Sequence, residues 1–117
     1  MTSENSKDAE TIREISGVIE RFGTEALDGK TSDAASRAWV AAGFDDPEDI
    51  SVWLSARCFY ARGAQALDAA GITPEQAALR TTAGVRDYEE TLAYKFVHGD
   101  LSIDEVRRIV TNAFWNT

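Results

Sequence analysis

The chain holds one cysteine, one histidine, one methionine and two prolines among 117 residues. A lone cysteine excludes an internal disulfide, so no covalent staple supports the fold. With one cysteine and one histidine, the usual ligand sets of zinc and the serine–histidine triads have little material. No apolar run approaches the roughly 18 residues that a membrane-spanning helix requires. Residues 1–8 are polar and lack the apolar core of a signal peptide, which sets the expectation of a cytoplasmic protein. Alternating apolar and polar residues bounded by turn signals are missing as well, so no β-strand is expected.

Positive charge is also in short supply. Twelve lysines and arginines face 20 aspartates and glutamates, for a net charge of −8. The imbalance is concentrated in residues 1–50, which carry 12 acids and 5 bases, against 8 acids and 7 bases in the remainder. A field of this sign repels phosphate and argues against direct nucleic-acid binding. It suits a solvated surface or a basic protein partner.

What is present is enough for one domain with one core: 44% of the residues are hydrophobic, an ordinary share for a globular chain. Three glycine-led turns organise it, at Gly43, Gly71 and Gly99, each 28 residues from the next. A glycine just past a helix end adopts the left-handed conformation at no Cβ cost. Asp46, Thr73 and Ser102 then cap the following helix, Pro47 and Pro74 occupy first helical positions, and Gln76 and Glu105 complete capping boxes. Phe44, Ile72 and Leu101 are placed to pin each turn to the core. The side chains between the turns are dissimilar, so the interval reads as repeated local chemistry rather than a duplicated unit.

Apolar spacing predicts helices over residues 7–28, 32–42, 47–58, 60–70, 74–82, 87–98 and 102–115, after a flexible tail over 1–6. Gly17 and Gly23 weaken the first by about 1 kcal/mol each relative to alanine and mark a kink or a close approach. The expectation is an all-α, compact bundle of about six to seven short helices joined by glycine-terminated, capped turns, with residues 7–117 as a single domain.

Motifs for chemistry fail on their details. Gly29-Lys30-Thr31 matches the end of a phosphate loop, but position 24 is threonine where the leading glycine belongs. Gly99 to Glu105 matches the back half of a calcium loop, but the first ligand positions would be Tyr94, Phe96 and His98, which bring no carboxylate. Cys58 reads as a buried small hydrophobe and His98 as a structural residue at a helix C-terminus. No glycine-rich cofactor fingerprint follows a strand, so no cofactor and no metal are expected.

The remaining candidates are surfaces. The acidic cluster Asp45, Asp46, Glu48 and Asp49, and the aromatic residues Tyr60, Tyr94 and Trp115 at helix edges, are the expected partner-binding residues. Phe114-Trp115 in the last helix also allows a homodimer through that helix. Residues 66–81 have the spacing of a helix-turn-helix, whose second helix would offer Glu75, Gln76 and Arg80, with Arg57, Arg62 and Arg86 on the same face. The leading expectation is a non-enzymatic acidic interaction module docking on a basic protein. The alternative is an acidic mimic of DNA that inhibits a nucleic-acid-binding protein, as phage or mobile-element proteins do. A helix-turn-helix regulator is the third reading.

Overall fold

The computed structural model describes the backbone of residues 3–115 and the side chains of residues 9–113. Helix α1 is Ser3–Phe22. It buries Ile12, Ile15, Val18 and Ile19. It also runs through Gly17, where a Cβ would meet nothing within 4 Å, so no close approach depends on that glycine. The helix stops at Gly23 rather than continuing to residue 28. Gly23 takes φ 92°, ψ −171°, a conformation open to glycine. A single 3-10 turn, Thr24–Leu27, follows, and Asp28 and Gly29 are both left-handed.

Thr31 caps α2, Ser32–Ala41, by accepting from the Ala34 N–H. Its buried face, Ala35, Ser36 and Trp39, lies along α1, where the hydroxyls of Ser16 and Ser36 share a 2.8 Å hydrogen bond. The Gly43 turn behaves as its chemistry predicts. Phe44 packs edge-on against Trp39 and Trp53, and Asp46 caps α3, Pro47–Ser55.

Helix α3 ends three residues before the predicted position 58, because Arg57 adopts the left-handed conformation at φ 64°. Its N–H bonds to Leu54 and that of Cys58 to Trp53, the closure usually made with glycine. Helix α4, Ala61–Ala69, precedes the Gly71 turn, where Ile72 is buried and Thr73 and Gln76 form a capping box.

The largest departure from the expected pattern comes next. Helix α5, Pro74–Ala77, is a single turn. Strands β1, Arg80–Thr81, and β2, Glu90–Thr91, then pair antiparallel, so a short hairpin replaces the predicted helix ends and the strand-free reading is corrected. Thr91 explains the late start of α6, Leu92–Val97: its hydroxyl accepts from the Tyr94 N–H and donates to the buried Ala56 carbonyl at 2.7 Å. After the Gly99 turn, Ser102 and Glu105 exchange capping-box hydrogen bonds and lead into α7, Ile103–Trp115. Among the described residues the result is an all-α bundle of seven α-helices with one minor hairpin. None of those helices is long and apolar enough to cross a membrane.

Candidate docking groove

Two of the aromatic candidates meet. Tyr60 precedes α4 and Tyr94 lies in α6, and both line an open groove of about 400 Å³ that also takes in Phe59, Val97 and His98. The segment after the break at Gly23 supplies the acidic part of the lining: Glu25 comes from the 3-10 turn and Asp28 from the left-handed stop after it. Among the described residues no lysine or arginine lines this groove. A second groove of about 370 Å³ shares Asp28, Phe59 and Tyr60 and continues over an alanine floor made by Ala35, Ala38 and Ala42 of α2 and its C-terminus. The two grooves meet at Asp28, Phe59 and Tyr60, the second also being lined by Lys30 and Arg62, and Tyr60 stays 42% exposed.

Packing holds the Tyr94 ring in place. His98 stacks on it at 4.1 Å and bonds through Nδ1 with the Tyr94 carbonyl, which puts the histidine in the structural position at a helix end that its spacing suggested. The Arg57 guanidinium also lies over the Tyr94 ring, at 4.9 Å from its centre. Arg57 also lies 5.5 Å from the Phe59 ring and donates from Nε to both Glu90 carboxylate oxygens at 2.9 Å. Its contact with Glu25 is looser, at 3.7 Å. Cys58, beneath this surface, is fully buried. Burial pushes its thiol up to about 12, so no thiolate forms near neutral pH.

The other candidates fall elsewhere. Asp46 is used as the α3 cap, while Asp45, Glu48 and Asp49 surround it at the start of the helix. None of these four acids lines either groove; Phe44, just before them, packs on Trp39, which lines the second one. The side chain of Trp115 lies outside the described residues, and with it the proposed dimer contact. Glu75 and Gln76 sit in the one-turn α5, and Gln76 is used in the capping box. Arg80 lies beyond α5 in β1 and pairs with Glu89 and Glu90. A recognition helix over 74–82 is thus corrected to one turn, too short to present a row of side chains to a groove of DNA. Of the four arginines, Arg57, Arg80 and Arg86 each have a carboxylate partner, and Arg62 lines the second groove.

A cluster that the local pattern did not announce braces the hairpin loop, residues 82–89. Lys95 is fully buried in α6; its ammonium donates to the carbonyls of Ala83 and Arg86 and lies 4.4 Å from the Tyr88 ring centre. Asp100, also buried, accepts from Arg86 Nε at 2.7 Å and from the Tyr88 hydroxyl. The Arg86 hydrogen bond is the main reason the Asp100 carboxyl is held below its usual range, and the Tyr88 hydrogen bond acts in the same direction. Sharing its proton with that carboxylate pushes the Tyr88 phenol up to about 12. Each of these groups is spent on fixing the loop.

Compared with known proteins, the chain matches no family model, no curated protein and no solved structure.

Proposed function

We propose that the chain is a non-enzymatic interaction module of the cytoplasm that docks an aromatic and acidic surface on a basic protein. One observation supports this most directly: Tyr60 and Tyr94, 34 residues apart in sequence, line the same open groove as Glu25 and Asp28. Tyrosine is suited to such a role because it covers a large contact area at low entropic cost and carries a polar tip. The net charge of −8 adds long-range attraction for a basic partner.

The test is capture of partners from native lysate on the wild-type chain and on Tyr60→Ala, at low and high salt. The reading expects a basic protein that is retained at low salt, released by salt and lost with Tyr60→Ala. Retention of the same proteins by both chains would overturn it.

The mimic reading has its own support in the exposure of Glu10, Glu14, Glu20, Glu25 and Asp28 along α1 and the turn after it. It expects the captured protein to bind nucleic acid and to be displaced by duplex DNA.

A further inference from the structure

We propose that the groove between Tyr60 and the Glu25–Asp28 rim receives an arginine side chain of the partner. The inference rests on the docking reading above and names the group that fills the groove. Charge is the first argument. Among the described residues the lining contributes two carboxylates and no lysine or arginine, so a cation is the complementary occupant. Neither carboxylate is tightly committed. Glu25 reaches Arg57 only at 3.7 Å, and the Asp28 pair with Lys30, at 3.0 Å, is exposed on both sides. Exposed pairs of this kind contribute little and yield to a competing cation.

Ring chemistry is the second argument. A guanidinium is planar, weakly hydrated and stacks on aromatic faces, which an ammonium does less well. The chain already holds one guanidinium in this way beside the groove. Arg57 lies over Phe59 and Tyr94 while a carboxylate meets its edge. The groove repeats those ingredients with Tyr60 and His98 exposed beside Glu25 and Asp28, and it has room for a second such group.

The experiment is an NMR titration of the whole chain with a hexa-arginine peptide, compared with hexa-lysine and hexa-citrulline, the last matching arginine in shape without its charge. The expected result is perturbation of Tyr60, Tyr94 and His98 by the arginine peptide, with lysine and citrulline weaker by about fivefold or more. Tyr60→Ala and the pair Glu25→Gln with Asp28→Asn should each cost a similar factor. Asn tolerates the left-handed position of Asp28, and the amide spectrum of each variant reports that it is folded. Equal binding of citrulline and arginine overturns the inference. Binding that maps to Asp45–Asp49 and ignores Tyr60→Ala also overturns it but leaves the docking reading standing. No binding of either cationic peptide anywhere on the chain removes both.

Discussion

Gly63 marks a close approach within the bundle. A Cβ there would lie 2.3 Å from Val97 Cγ1, so α4 and α6 meet at this distance only because residue 63 has no side chain. Gly63→Ala is therefore expected to lose roughly 1–3 kcal/mol by overpacking, despite alanine's better helix propensity. Chemical denaturation measures it, and the added change Val97→Ala should restore part of the loss; a stabilised Gly63→Ala would contradict the packing. The Asp100 clamp makes a second prediction at this scale, in pH. Asp100 has its folded pKa below the ordinary 3.8, so its contribution is complete above that value and is lost as pH falls through the lower, folded one. Tyr88 is shifted from 10.0 up to about 12, so its contribution is complete below pH 10 and is lost as pH rises through about 12. Tyrosinate absorbance should then show one of the three tyrosines ionising late, and Asp100→Asn should return that one toward 10. The protection of the Val85 amide, whose N–H bonds to the Asp100 carbonyl, relative to its intrinsic exchange rate at the same pH should fall in the same variant and in wild type in acid.

Among the elements, those that end or begin on local chemistry are legible in the sequence, and those set by distant contacts are not. The Gly43, Gly71 and Gly99 turns have left-handed glycines at φ 101°, 83° and 78°, with the caps where Asp46, Thr73 and Ser102 predict them. The end of α3 is hidden because an arginine occupies the left-handed position, at an intrinsic cost of roughly 1–2 kcal/mol. The arginine's partner is Glu90, 33 residues away and invisible to periodicity. The hairpin escapes a local reading for the same reason: Lys95 and Asp100 shape residues 82–89 from outside the segment. Thr91 joins both cases, capping α6 and binding the α3 terminus through Ala56. Thr91→Val should cost roughly 1–3 kcal/mol by stranding that buried carbonyl, with the loss seen in thermal or urea unfolding. It should also release both the α3 end and the hairpin, so amide exchange at Cys58, whose N–H closes α3 on Trp53, and at Leu92, whose N–H bonds to Leu79, should rise together with that at the capped Tyr94. A loss confined to Tyr94 would mean that Thr91 serves as a cap alone.

For the molecule as a whole, the candidate surface is half legible. Tyr60 and Tyr94 stand out as aromatic residues at helix edges, but apolar spacing absorbs Glu25 and Asp28 into a first helix that in fact stops at Gly23. That one misplaced boundary hides the acidic rim, because a glycine inside an amphipathic repeat is tolerated as often as it terminates one. The completed surface separates two roles that the composition alone merges. Asp45, Glu48 and Asp49 line neither groove, so in the proposed docking their charge would act at a distance and be screened by salt. In the same proposed docking, Tyr60 would make contact only once a partner had arrived. Replacing Asp45, Glu48 and Asp49 by their amides, with the capping Asp46 kept, should therefore slow association severalfold at low salt and leave dissociation nearly unchanged. Tyr60→Ala should do the reverse, speeding dissociation with little effect on the association rate. Stopped-flow kinetics with the hexa-arginine peptide or a captured basic partner, repeated across a salt series, measures both. If the triple amide variant associates at the wild-type rate at low salt, the acidic turn has no steering role and the attraction arises from the groove rim alone.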